Sequence, residues 1–154
     1  MKMKNKGFTL FIAMIVIGTL LLIAAGIVGL AVRQSLISSS GRESQEAFYA
    51  ADSGIECVLY WDIQNPNGVS AFSTSTGSTI FCNRDAANPA NQWTVGGSYV
   101  SQFTMTFIPD TYCAVVTVTK GLDGSTHVES LGYNDGCGLT TTSRRVERAI
   151  RAIY

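Results

Sequence analysis

The stretch FTLFIAMIVIGTLLLIAAGIVGLAV, residues 8–32, holds no charged residue, and its only polar side chains are Thr9 and Thr19. A helix rises about 1.5 Å per residue, so this block would extend about 37 Å. A bilayer core needs about 20 residues, and the block can span it with residues to spare. The apolar region of a cleaved secretory signal is shorter, usually about 7–15 residues. A lipoprotein anchor is disfavoured because no cysteine precedes Cys57.

The charges flanking the block are unequal. Lys2, Lys4 and Lys6 precede it, whereas Arg33 and Arg42 follow with Glu43 and Glu46 close behind. A basic excess stays on the cytoplasmic side, which predicts an inside N-terminus and an outside C-terminal portion. Ala25 and Gly29 form a small-xxx-small pair that would let another helix approach closely, a pattern also common by chance. Of 11 basic and 11 acidic residues, the three lysines lie before the block, so eight basic residues face eleven acidic ones in the rest, a net of −3. That sign disfavours a nucleic-acid binder, which gathers basic side chains on one face. The remainder is rich in Ser, Thr, Gly and Asn, a composition suited to one small β-rich domain rather than a metabolic enzyme.

Lys6-Gly7-Phe8-Thr9-Leu10 resembles the processing site of type IV prepilins and type II secretion pseudopilins. In those families a membrane-embedded prepilin peptidase cuts after the Gly of a short basic leader, and the new N-terminal Phe is N-methylated. The resemblance implies a leader over 1–7, with Gly7 and Phe8 flanking the cut. Ala47-Phe48-Tyr49-Ala50-Ala51-Asp52-Ser53-Gly54-Ile55-Glu56 resembles the AFYAAEAGIE stretch of PilX-like minor pilins, with Phe48, Ala51, Gly54 and Glu56 as the motif's helix positions. Together these motifs cover roughly the first 60 residues. Major pilins carry a Glu five residues into the mature chain, where it meets a neighbour's N-terminal amine; here that position is Ile12. A carboxylate in hydrocarbon costs several kcal/mol unless paired, so Ile12 removes both a cost and a docking device. The departure argues against the main shaft subunit and leaves the family resemblance standing.

The helix is expected to continue beyond the membrane. Phe48, Ala51, Ile55, Val58 and Leu59 recur at three- and four-residue spacing, a stripe that a domain can cover. Ser38-Ser39-Ser40-Gly41 is poor helix material and reads either as a soft point or as an ordinary exit from lipid. Asp52 and Glu56, one turn apart, read first as a solvated face. Asn65-Pro66-Asn67-Gly68 is turn chemistry, and 70–79 reads as loop or meander. Phe103, Met105 and Phe107 alternate with polar residues in a half-buried strand. Residues 112–119 read as the next strand and 126–133 as its return after a turn at 121–125. Residues 144–154 fit a helix by period, but the resemblance implies a closing strand. Their arginines, Arg144, Arg145, Arg148 and Arg151, read as pairing within or between subunits. The expected class is α+β, pilin-like: a long N-terminal helix packed against a small antiparallel sheet. The boundaries are 1–7 leader, 8–32 membrane or filament-core helix, 33–61 its continuation and 62–154 a disulfide-bearing β domain.

Cys57, Cys82, Cys113 and Cys137 all lie on the expected outer side, and an even count there reads first as disulfides. Three pairings exist; Cys57–Cys82 and Cys113–Cys137 are favoured because each joins neighbours in chain order. Zinc is the weaker use, since no two cysteines stand two to four residues apart and His127 is the only histidine. That histidine would have to serve any Ser-His or Cys-His mechanism, and no nucleophile motif lies near it. Neither a phosphate-cradling loop nor a calcium-loop spacing occurs. The sequence predicts no catalytic residue, cofactor or metal.

The resemblance implies a minor pilin or pseudopilin that assembles through its N-terminal helix into a type IV pilus-like filament, as a low-copy or tip component. Its implied partners are other pilin or pseudopilin subunits, the prepilin peptidase, the inner-platform protein of the pilus machinery and the membrane. The location implied is a single pass in the cytoplasmic membrane, then the cell-surface filament. The competing reading is a single-pass, membrane-anchored binding protein that never polymerises.

Overall fold

The computed structural model describes residues 6–64, 68–86, 89–138 and 144–154, excepting the side chains of residues 6 and 7. Residues 1–5 of the expected leader and 65–67 of the expected turn lie outside the described residues. Two compact units, Met1–Gly41 and Arg42–Tyr154, make up the chain.

The first unit is helical from Lys6, the start of α1 (Lys6–Leu59). Ser38, Ser39, Ser40 and Gly41 are all in regular helix, so no melted segment interrupts α1 there. Each of these residues costs only about 1 kcal/mol or less in helix propensity. Extending an existing helix avoids the nucleation cost that a separate start would incur.

In the second unit α1 ends in a single π-helical turn, Tyr60–Gln64, which buries Trp61 and Asp62. Four antiparallel strands follow one another in a meander: β3 (Val100–Thr106), β4 (Cys113–Lys120), β5 (Thr126–Tyr133) and β6 (Glu147–Ile153). Before them comes a two-stranded hairpin, β1 (Gly77–Phe81) with β2 (Gln92–Gly96). The closing segment is thus a strand, as its implied role in the fold required.

Strand alternation explains the meander. Ser101, Phe103 and Met105 of β3 point inward, as do Ala114, Val116 and Val118 of β4. Register then builds transverse rows: Met105–Ala114–Gly132–Arg148, Phe103–Val116–Ser130–Ile150 and Ser101–Val118–Val128–Ala152. The helix advances along these rows. Arg148 donates to Ser44 Oγ at 2.9 and 2.6 Å; Gly132 lies beneath Ala47 and Ala51; Gly54 lies on Val116 and Ser130. A helical turn climbs about 5.4 Å and two strand residues about 6.6–6.8 Å, so successive turns stay nearly in step with successive rows.

This approach works only because the facing residues are small. A Cβ on Gly132 would stand 2.9 Å from Ala51 Cβ and would overlap the Ala47 carbonyl. One on Gly54 would come within 2.7 Å of Val116 Cγ2 and overlap Ser130 Oγ. Accordingly Ala47, Ala50, Ala51 and Val58 are completely buried.

The buried face runs one position away from the expected stripe. Ala51, Ile55 and Val58 belong to it, and Leu59 is half-buried, but Phe48 remains 48% exposed. Alanine and glycine at 47, 50, 51 and 54 leave the sheet no room for a phenylalanine on the same face.

Aromatic side chains seal the hairpin end. Trp61 packs edge-on against Phe81 at 5.2 Å between ring centres, and its indole N–H donates to the Phe81 carbonyl at 3.1 Å. Phe103 stacks with Trp93 and Phe72. Asn91, fully buried, donates to the Thr106 and Asn83 carbonyls at 2.7 and 3.2 Å and accepts from the Thr106 amide at 3.1 Å. An amide so fully bonded can be buried without the cost of a stranded polar group.

Candidate assembly helix

Within the first unit, the apolar side chains have no protein neighbour. Phe8 is 67% exposed, Ile12 44% and Ile37 72%, and the intervening Leu, Ile, Val and Met side chains are exposed as well. An 18-residue window here has mean hydropathy 2.8 with none of it buried. Such a helix is long and apolar enough to cross a membrane. Thr19 Oγ1 donates to the Val16 carbonyl at 2.9 Å, which hides its hydroxyl proton within the helix's own backbone. Monomeric soluble proteins rarely leave apolar surface uncovered on this scale.

The second motif divides by face. Ala51 and Gly54 lie against the sheet, whereas Phe48, Tyr49 and Glu56 are exposed. Phe48 and Tyr49 meet edge-on with ring centres 6.1 Å apart. The motif therefore combines a close-packing surface of small residues with an outward aromatic pair. Arg42 and Glu46 form a loose surface pair at 3.5 Å, one helical turn apart.

Both disulfides involve elements that pack on one another. Cys57–Cys82 joins α1 to the loop leaving β1, with Cα atoms 5.9 Å apart. Cys113–Cys137 joins the first residue of β4 to the loop between β5 and β6, with Cα atoms 5.7 Å apart. Among the described residues no group of three His, Cys, Asp or Glu side chains could hold a metal ion.

Three arginines of the closing segment, Arg145, Arg148 and Arg151, have partners in the same unit. Arg151 meets Glu129 at 2.6 Å, Arg148 reaches Ser44, and the Arg145 guanidinium lies 4.0 Å from the Tyr133 ring centre.

Sequence reading missed a buried polar cluster at the end of α1. Asp62 accepts from Lys120 Nζ at 2.6 and 2.8 Å, from the Tyr154 hydroxyl at 2.7 Å and from Ser70 Oγ. Lys120 also donates to Thr126 Oγ1 at 2.8 Å. Backbone bonds pair Thr126 with Tyr154 in both directions, at 2.7 and 3.1 Å. Burial by itself would raise the Asp62 carboxyl, but hydrogen bonds from Lys120, Ser70 and Tyr154 outweigh it and hold the group below its ordinary value. Burial, then the adjacent Asp62 carboxylate, pushes the Tyr154 phenol well up. The partners of Asp62 lie 8, 58 and 92 residues away, so no local pattern announces the cluster.

A family model described as PilX N-terminal matches residues 6–56. No curated protein and no solved structure matches the chain. The matched segment takes in the uncovered apolar helix and ends within the small-residue face that packs on the sheet, and over that segment the chain is similar to PilX-like minor pilins.

Proposed function

We propose that this chain is a type IV pilus minor pilin that enters a filament through its N-terminal helix. The observation that carries this reading is the uncovered apolar surface from Phe8 to Ile37, lying within the segment that matches the PilX N-terminal family. Before assembly, lipid covers that surface; in the filament, the helices of other pilin subunits do. Prepilin peptidase removes residues 1–7 by cutting between Gly7 and Phe8, which discards Lys2, Lys4 and Lys6, the charges that hold the leader at the cytoplasmic face. The rest of the helix then passes intact to the inner-platform protein of the pilus machinery. Ile12 offers no carboxylate to a neighbour's amine, which favours a low-copy or tip position over the shaft. The outer domain and its two disulfides lie beyond the membrane, in an oxidising compartment.

Mass spectrometry of the chain recovered from its native membrane tests the reading. The expected product starts at N-methylated Phe8, lacks four hydrogens for two disulfides and occurs in sheared filaments. Replacing Gly7 with a bulky residue should leave the leader uncut and abolish incorporation. Normal processing of that variant would contradict the assignment. A wild-type chain that still begins at Met1 and never enters the sheared fraction would support the non-polymerising anchored protein instead.

A further inference from the structure

The sheet face turned away from α1 bears an open groove of about 390 Å³. Two cross-strand rows line it: Thr117–Glu129–Arg151 and Thr119–His127–Ile153. Strand alternation puts all six side chains on one face, and directly opposite residues in such rows have Cβ atoms about 5 Å apart. Val116, Val118 and Val128, on the alternate positions, are buried on the other face. The groove is thus built by the same register that builds the core.

Its lining is more apolar than polar, with Val128, Ala152 and Ile153 among its residues, and its charged groups balance one another. Arg151 donates from Nε to Glu129 Oε1 at 2.6 Å, and the pair cancels its own charge. Thr117 Oγ1 accepts from Gln102 at 3.3 Å. Among the described residues, Thr119 and His127 make no side-chain hydrogen bond, which leaves a hydroxyl and an imidazole able to donate and accept. Ile153, 67% exposed at the groove's edge, adds an apolar surface.

We propose that this groove binds a neutral sugar ring. A polyanion would meet the Glu129 carboxylate, and a wholly apolar ligand would strand the Thr119 and His127 polar atoms. Sugar hydroxyls both donate and accept, which matches a surface that alternates hydroxyl, imidazole, carboxylate and guanidinium. The C–H face of the ring would rest on Ile153. The volume falls in the range of small-ligand sites, about 300–1,000 Å³. If the chain assembles through α1 as proposed above, the sheet face opposite the helix stays open to solvent. The role of the groove on a filament rests on that reading; its binding chemistry does not.

His127 is the only histidine in the chain, so its ring resonances report on the groove without assignment ambiguity. The full-length protein in detergent micelles, at fixed pH, would be titrated with glucose, galactose, mannose and N-acetylglucosamine. At least one should shift the His127 ring signals saturably, with an affinity of roughly millimolar order for so small a ligand. Thr119→Val and Glu129→Gln should each weaken that affinity about tenfold or more, while Leu122→Ala, in an exposed turn, should leave it unchanged. The absence of a saturable shift with all four sugars would overturn the proposal. A shift with inorganic phosphate alone would also overturn it, in favour of an anion site. Micellar binding does not require leader processing, so a sugar-binding chain that is never processed would sink the filament reading and leave the groove standing.

Discussion

Ser130 and Gly54 show how tightly single residues are constrained where α1 meets the sheet. The Ser130 hydroxyl is completely buried and, among the described residues, has no hydrogen-bond partner. Removing such a group relieves a desolvation penalty. Ser130→Ala should therefore hold or raise stability, by up to about 1 kcal/mol, in thermal melts of the detergent-solubilised protein. Gly54→Ala should cost about 1–3 kcal/mol, because its new methyl meets Val116 and Ser130. The double variant should recover part of that loss, since Ser130 Oγ is one of the colliding atoms. Asp62 is constrained by charge. Its carboxyl is held below the usual 3.8, so its contribution is complete above that pH and is lost as pH falls through the lower, folded-state value. Tyr154 titrates above the ordinary 10.0, so stability falls as pH rises beyond 10. Burial raises Tyr112 and Tyr133 too, so they share the alkaline limb. Melting temperature against pH should show both limbs, with Tyr154→Phe flattening the alkaline one and, because it removes a donor to Asp62, also weakening the acid one. Asp62→Asn should flatten the acid limb and cost about 3 kcal/mol at neutral pH, because it leaves the Lys120 ammonium in a largely buried site without its counter-charge. Nothing near Asp62 in sequence betrays this role, since Lys120 and Tyr154 reach it only through the fold.

Elements differed in how plainly their residues declared them. β3 and β4 announce themselves through Phe103, Met105, Val116 and Val118, which turn inward between Gln102, Thr104, Thr117 and Thr119, and β5 covers the residues read for it although Ser130 and Gly132 face inward. β6 could not be told from a helix by its own period: Val146, Ala149, Ile150 and Ile153 fit a helical spacing, and pairing with β5 makes the segment a strand. The β1–β2 hairpin lay in a segment rich in Ser, Thr and Asn, and only Ile80 and Val95 of its strands are fully committed to the core. Two anchors give no alternation to detect; Trp61, Phe72 and Phe103 supply the rest of the hairpin's packing from elsewhere. The Cys57–Cys82 disulfide ties this weakly specified element to α1. Its loop spans 25 residues, and by chain entropy the link contributes about 3 kcal/mol. A Cys57→Ser/Cys82→Ser variant should accordingly melt lower than the oxidised wild type, and the gap should largely close once both are reduced. Protease cleavage should begin in the hairpin and spare β3–β6.

The whole molecule joins two units whose surfaces obey different solvents. Arg42–Tyr154 has its own core and two disulfides; Met1–Gly41 has apolar side chains exposed along its helix. The full chain should stay in the membrane pellet after a carbonate wash. A fragment covering Arg42–Tyr154, oxidised, should remain soluble without detergent and melt in one transition. Aggregation of that fragment would show that its outer surface also needs covering. From the sequence alone came the membrane-length helix, the even set of cysteines, the meander strands and the resemblance carried by residues 6–10 and 47–56. These are local signals, written in run length, spacing and period. Tertiary structure alone decided which side of α1 faces the sheet, the Asp62 cluster and the groove on the outer face, and it settled as a strand the closing segment whose own period also fits a helix. Each depends on residues that are far apart in the chain and become neighbours through strand register and helix packing, and none can be read from any one segment.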